Sequence, residues 1–247
     1  MGVQDSFEAE TQSLYPYLPS NLFIYGVNIS LQYKYIFVET PKCACSTIKL
    51  SLQRLELDNP NLVFKEFEEI HWREYSPLLN PKQVGSFARL LNDGRYFKFC
   101  FVRHPFTRLL SAYLDKIRRN RIQKEDILRQ LGLPLSALNK DISFADFVKA
   151  VVEQPISMMN PHWRIQYYQT MQTGIHYDFI GRFEQFAEDF RAIGKKLSPD
   201  FEKYFVVDQR DATDAAAAIN EYLTDELKGL IYQKYKRDFD HFGYDVF

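Results

Sequence analysis

The sequence predicts an α/β fold in which a parallel β-sheet lies between helices in a three-layer arrangement. Short runs rich in β-branched and aromatic residues alternate along the chain with segments whose apolar residues recur at helical spacing. This alternation is typical of a parallel sheet, because the crossover connections place helices on both faces. No internal repeat or long linker interrupts the pattern, so we expect a single domain over residues 29–247.

The N-terminal segment, residues 1–28, is predicted to be an irregular arm. It contains Pro16 and Pro19 and few periodic apolar positions. Residues 1–20 also show neither a basic start nor an apolar stretch of the kind found in signal peptides. We therefore expect a cytoplasmic protein.

The first strand is predicted over residues 34–39, an apolar run that stops before Pro41. Helical spacing follows, with Ile48, Leu52 and Leu55 on one face. The sequence therefore predicts a strand, a loop and a helix in succession.

A second unit of the same kind follows a helix predicted over residues 81–91. Its strand is predicted over residues 96–102, and Pro105 opens the next helix at a position that proline favours. Later helices are predicted over residues 122–131, 144–152, 183–197 and 225–239, with a short strand over residues 177–181.

Composition excludes several classes of protein. The formal net charge of −1 gives no global attraction to nucleic acid or to an anionic membrane. No window approaches the roughly 20 apolar residues of a membrane span. The three cysteines, Cys43, Cys45 and Cys100, are too few for a disulfide framework and fit a reducing compartment.

The loop over residues 41–47 has the features of an anion site. It joins the end of a strand to the start of a helix, where backbone N–H groups and the helix dipole attract negative charge. Lys42 adds a positive charge, and Ser46 and Thr47 add hydroxyl donors. The glycines of an ATP-binding loop are missing, which disfavours an ordinary ATP site. The alternative is a capped helix with a solvent-facing lysine.

A second anion site is predicted from residues 99–113. Arg103 ends the second strand, and Ser111 lies about two turns into the next helix. The planar fork of the guanidinium and the hydroxyl are suited to a single phosphate.

Four blocks of the sequence resemble the sulfotransferase family that includes the Golgi carbohydrate sulfotransferases of the chondroitin 4-O and HNK-1 type. Their order along the chain also matches the family, which one isolated motif cannot imitate. The blocks are residues 41–47, residues 99–113, residues 160–166 with 177–184, and residues 235–244.

The resemblance implies a P-loop-like fold similar to that of nucleotide kinases, and 3′-phosphoadenosine 5′-phosphosulfate (PAPS) as donor, with PAP as product. It assigns Arg103 and Ser111 to the 3′-phosphate and makes Lys42 the stabiliser of the leaving oxygen. His71 falls where related enzymes carry a histidine, so it is the candidate base. The residues implied for the 5′-phosphosulfate are Lys42, Cys43, Ala44, Cys45, Ser46 and Thr47.

Several residues have competing interpretations. His162 and Glu69 are alternative bases if His71 is a packed structural residue. Cys43 and Cys45 lack a second pair of ligands at metal spacing, so no metal is expected. The basic run over residues 116–121 either complements a helix dipole or receives an anionic acceptor.

The predicted function is the transfer of a sulfuryl group from PAPS to an acceptor hydroxyl by in-line displacement. The acceptor is expected to be a carbohydrate or a small metabolite, and the sequence predicts no oligomeric state. Two alternatives stay open: a phosphotransferase of kinase-like fold and a catalytically inactive nucleotide-binding relative.

Overall fold

A computed structural model describes residues 18–206 and 214–246. The chain divides into two compact units. The first lies within Met1–Val102 and Thr170–Asp208, and the second within Arg103–Gln169 and Gln209–Phe247. The single domain expected over residues 29–247 stays a prediction.

The strands are β1 (Val27–Ser30), β2 (Tyr35–Val38), β3 (Phe97–Val102) and β4 (Phe179–Arg182). The helices are α1 (Ser20–Gly26), α2 (Cys45–Glu56), α3 (Phe87–Asn92), α4 (Pro105–Ala112), α5 (Lys124–Gln130), α6 (Phe144–Glu153), α7 (Gln166–Gln169), α8 (Phe186–Leu197), α9 (Ala215–Tyr222) and α10 (Asp225–Phe242). Short 3₁₀ turns include Phe67–His71, Pro81–Gln83 and Phe183–Gln185, and a π-helical turn over Tyr113–Ile117 extends α4.

The first unit contains a mixed sheet with the strand order β1-β2-β3-β4. Strands β2, β3 and β4 are parallel, as predicted, whereas β1 pairs with β2 in the antiparallel sense. The prediction of an all-parallel sheet is therefore wrong at this edge. The reason is local: only the short turn of residues 31–34 joins β1 to β2, and Lys34 closes it with a left-handed φ of 54°. So short a connection joins antiparallel strands only.

Helices cover both faces of this sheet. On one face, buried side chains of β2 and β3 such as Phe37 and Phe99 pack with residues of α2 and α8. On the other face, Ile36 and Cys100 share a cluster with Phe23 of α1 and Phe87 of α3. The alternation of the strands explains this division, because successive side chains point to opposite faces.

The second unit is helical, and its core centres on Trp163. The indole is fully buried and meets the ring of Phe147 on α6 edge-on, with centroids 5.5 Å apart. Its Nε1–H donates to Gln154 Oε1 at 2.9 Å, while the Tyr235 hydroxyl of α10 donates to the carbonyl of Trp163. These contacts join α6 and α10 around one ring.

Part of the arm predicted as irregular is ordered structure. Helix α1 and strand β1 both lie at or after Ser20, so the prediction of an irregular arm is wrong from that residue onward. Phe23 accounts for the difference: it is 1% exposed and contacts the ring of Phe87 with centroids 5.3 Å apart. Residues 1–17 of the predicted arm lie outside the described residues.

The helix predicted over residues 81–91 is in fact two elements. A 3₁₀ turn over Pro81–Gln83 is followed by α3, which begins at Phe87. Ser86 separates them because its hydroxyl accepts a hydrogen bond from the N–H of Arg89 and caps α3.

Candidate active site

The loop over residues 41–47 approaches the start of α2 through two left-handed residues. Lys42 has a φ of 70° and Ala44 a φ of 59°, an unusual conformation for residues with a Cβ atom. Ala44 is the N-cap residue of α2, and its methyl side chain provides no cap. The first N–H groups of α2 thus carry no cap from that residue, and a helix start of this kind attracts an anion.

His71 lies beside this loop. It ends the 3₁₀ turn Phe67–His71, which Gln53 of α2 anchors by donating from Nε2 to the carbonyl of Ile70 at 2.8 Å. His71 Nε2 is 2.9 Å from the Oγ of Ser46, in the first turn of α2. The structure therefore brings together two predicted site residues that are far apart in the sequence.

Behind His71 lies an ion pair that the sequence analysis missed. Lys49 of α2 contacts the carboxylate of Glu39, and the two side chains are only 2% and 4% exposed. Lys49 Nζ also lies 3.5 Å from His71 Nδ1 and 4.6 Å from the ring centroid of Tyr25. The available signal was that Lys49 follows Ser46 by one helical turn, which places both on one face of α2.

The contact with Lys49 bears on the tautomer of His71. An ammonium group donates and cannot accept, so a hydrogen bond from Lys49 requires that Nδ1 carry no proton. The proton then lies on Nε2, which donates to Ser46 Oγ. Contacts to both nitrogens hold the ring.

Arg103 and Ser111 both lie in the second unit, Arg103 just before α4 and Ser111 in the last turn of that helix. Arg103 precedes the helix, and its Nε donates to Thr107 Oγ1 at 3.2 Å. Within α4, Thr107 and Ser111 are four residues apart and lie on one face, and the hydrogen bond to Thr107 brings the Arg103 side chain to that face. Arg103 is 5% exposed and Ser111 is 2% exposed. Thr107 was missed in the sequence analysis, although its spacing was a signal.

Comparison with known proteins places these residues in a family. Residues 25–245 match the model of the sulfotransferase family. The chain belongs to this family.

Curated relatives of this chain are named as carbohydrate sulfotransferases. Mouse carbohydrate sulfotransferase 14 is 31% identical over 65% of this chain and 43% of its own length. Mouse carbohydrate sulfotransferase 12 is 26% identical over 85% of this chain and 57% of its own length. The rat carbohydrate sulfotransferase 11 is 28% identical, with 85% and 64% covered. The chain thus spans about half the length of the relatives it matches, and no solved structure matches it.

The alternative bases, His162 and Glu69, have other contacts in the structure. His162 lies in the second unit, and its Nδ1 is 2.8 Å from Oδ1 of Asn160, which is two residues earlier in the sequence. Glu69 accepts a hydrogen bond from the N–H of Glu66 at 3.2 Å and takes part in a capping box of the turn that carries His71. Its carboxylate thus has a local structural role.

The basic run over residues 116–121 also has internal partners. Asp115 is 3% exposed and pairs with Lys116 at 3.0 Å. Arg118 donates to the hydroxyl of Tyr222 at 2.8 Å. These contacts favour a structural role for both cations.

The thiol of Cys45 in the loop is a poor nucleophile. Burial, together with the nearby Glu39 carboxylate, raises the pKa of the Cys45 thiol. All three cysteines are free thiols.

Within residues 18–206 and 214–246, no cluster of three or more His, Cys, Asp or Glu side chains is arranged to hold a metal. No helix within these residues is long and apolar enough to cross a bilayer.

Proposed function

We propose that this chain transfers a sulfuryl group from PAPS to a hydroxyl group of a carbohydrate. The observation that carries the proposal is the contact of His71 Nε2 with Ser46 Oγ, which places a histidine at the anion-attracting start of α2. Family membership and the names of the relatives support the reaction and the acceptor class.

The residues of the first unit fit the 5′-phosphosulfate end of this donor. The left-handed conformations of Lys42 and Ala44 turn the loop into the start of α2, and successive N–H groups in such a turn form a concavity for anions. Lys42 adds a full positive charge, and Ser46 and Thr47 add hydroxyl groups. The donor supplies an activated sulfuryl group bonded to a phosphate. We assign its 5′ end to residues 42–47.

The residues of the second unit fit a 3′-phosphate. Arg103 presents several N–H donors in one plane and contacts Thr107, which lies on the same face of α4 as the Ser111 hydroxyl. The guanidinium can bind two oxygens of one phosphate at once. We therefore assign the 3′-phosphate to this pair.

His71 acts as the general base in this proposal. In the structure its Nε2 faces Ser46, and its Nδ1 faces Lys49. To accept a proton from the acceptor hydroxyl, the ring must present an unprotonated Nε2. That tautomer carries its proton on Nδ1, so Lys49 must then turn wholly to Glu39, with which it already pairs. Lys42 stabilises the negative charge that develops on the leaving oxygen.

The direct experiment is transfer of ³⁵S-labelled sulfate from PAPS to a panel of unsulfated polysaccharides and small hydroxylated metabolites. We expect label in at least one polysaccharide, and its loss in Lys42→Ala. Label confined to small metabolites would contradict the acceptor class. Phosphate transfer from ATP without sulfate transfer would instead support the kinase-like alternative, and donor binding without any transfer the inactive relative.

Four further features belong to the same proposal. They are a three-layer, P-loop-like arrangement related to nucleotide kinases, a single domain over residues 29–247, turnover without a metal, and a cytoplasmic location. The parallel order of β2, β3 and β4, with helices on both faces, supports the first. The three free thiols support the last, because reducing compartments preserve them.

A further inference from the structure

The side-chain amide of a buried glutamine binds the backbone of Arg103. Gln166, the first residue of α7, is fully buried. Its Oε1 accepts from the N–H of Arg103 at 2.8 Å, and its Nε2 donates to the carbonyl of Arg103 at 2.8 Å. The side chain of Gln166 thus binds both the N–H and the C=O of Arg103, in the way that a neighbouring β-strand would.

A buried carboxylate fixes which way this amide points. Asp238 of α10 is also fully buried, and its Oδ2 lies 3.3 Å from Gln166 Nε2. An ionised carboxylate only accepts hydrogen bonds, so it must face the amide nitrogen. The oxygen of Gln166 is then left for the N–H of Arg103, and a flipped amide would lose all three contacts.

Asp238 is in turn held by the backbone of α7. It accepts hydrogen bonds from the N–H groups of Gln166 and Tyr167 at 2.9 and 2.8 Å. Burial raises its pKa to about 6, while these donors and the cation of Arg108 lower it. The carboxylate is therefore ionised at neutral pH, as the hydrogen bond that it accepts from Gln166 Nε2 requires.

We propose that Gln166 and Asp238 are positioning residues that fix the backbone of Arg103 and thereby aim its guanidinium at the 3′-phosphate of the nucleotide. This inference rests on the proposed function. The planar fork recognises a phosphate only within a narrow range of angles. Arg103 comes directly after the last residue of β3, so its backbone direction depends on the contacts beyond the strand.

The test compares the affinities for adenosine 3′,5′-bisphosphate (PAP) and for AMP, which lacks the 3′-phosphate, by calorimetry. We expect the parent to prefer PAP. Gln166→Met keeps the length of the side chain and removes its hydrogen bonds to the Arg103 backbone. It should therefore lower the ratio of the affinity for PAP to the affinity for AMP by about tenfold. Affinity for AMP should stay at the parent value. Asp238→Asn, which keeps the size of the side chain, should act in the same direction.

Gln154→Met is the matched control. Gln154 is another buried amide of the second unit, and its oxygen accepts from Trp163 Nε1 instead of contacting Arg103. We expect this variant to keep the parent ratio. In an Arg103→Ala background, Gln166→Met should no longer change the ratio, because the residue through which it acts is absent.

Two results would overturn the inference. One is an unchanged ratio in a folded Gln166→Met protein. The other is an equal loss of affinity for PAP and AMP, which a merely structural role predicts. A parent that binds PAP no better than AMP would instead contradict the proposed donor itself, so failure of the two claims is distinguishable.

Discussion

At the scale of single residues, the candidate site combines a partly exposed cation with a buried one. Lys42 is partly exposed on the loop, whereas Lys49 is 2% exposed and paired with Glu39. The two lysines therefore have different expected roles. Lys42 stabilises the negative charge that develops on the leaving oxygen. Lys49 pairs with Glu39 and contacts the ring of His71.

Lys42→Ala should lower turnover more than it raises the donor's dissociation constant, because its charge matters most when the leaving oxygen becomes negative. Turnover and equilibrium binding of PAP should be measured on the same preparation. An effect confined to binding, with turnover intact, would make Lys42 a docking residue only.

Lys49→Met should lower the free energy of unfolding by about 3 to 5 kcal/mol, because it leaves the buried Glu39 carboxylate without its partner. Denaturant unfolding measures this loss. The double variant Lys49→Met with Glu39→Gln should recover much of it, since no unpaired charge then remains. If the double variant is as unstable as Lys49→Met, the loss comes from packing and the ion-pair explanation is wrong.

At the scale of elements, the sheet and its two covering layers depend on close packing at defined positions. Helix α8 lies against the 3₁₀ turn of Phe201–Lys203 at Gly194. A Cβ atom at Gly194 would lie 1.9 Å from Phe201 Cδ1, which is far shorter than a van der Waals contact. Glycine is needed here for space, since its φ is not in the left-handed region.

Gly194→Ala should therefore destabilise the protein by about 1 to 3 kcal/mol through overpacking. The matched control is Gly229→Ala on α10, where nothing lies within 4 Å of the added Cβ. That change should stabilise by about 0.4 to 1 kcal/mol, because alanine has less freedom to lose on folding. Equal effects of the two substitutions in denaturant unfolding would contradict this packing argument.

The strands and the larger helices could be predicted from the sequence because their patterns are local. Strand β3 and helix α6 lie within one residue of their predicted bounds. Strand β1 could not be predicted, because its apolar residues are too few for a pattern and its pairing with β2 is tertiary. For the same reason, nothing near Gln166 indicated that it holds Arg103.

The contact of His71 with Ser46 shows the same limit. The resemblance to a family suggested His71, but its approach to the loop depends on the anchoring of Ile70 by Gln53. By contrast, helical spacing alone places Thr107 and Ser111 on one face of α4. Arg103 precedes the helix, and its approach to Thr107 through a hydrogen bond does not follow from spacing.

At the scale of the whole molecule, the buried carboxylate of Asp238 makes stability depend on pH. Its pKa is raised to about 6 in the folded protein by burial, against an ordinary value of 3.8. The folded state therefore binds this proton more tightly than the unfolded chain does. The contribution is fully present below the ordinary pKa and is lost as the pH rises through 6, with a size of about 3 kcal/mol.

Asp238→Asn removes this titration. The free energy of unfolding of the parent, relative to that of Asp238→Asn, should fall between pH 4 and pH 7. Denaturant unfolding of both proteins across that range measures the difference, so other titrating groups cancel. A difference that stays constant with pH would show that Asp238 keeps its ordinary pKa.

The central claim, that His71 is the base of a sulfotransferase, is tested most directly by His71→Ala. Donor binding and sulfate transfer should be measured on the same protein, with His162→Ala as the matched control. We expect the dissociation constant of PAPS to stay near that of the parent while transfer falls by about 10² to 10⁴, the usual contribution of a general base. His162→Ala should transfer like the parent. Normal transfer by a well-folded His71→Ala protein would contradict the account.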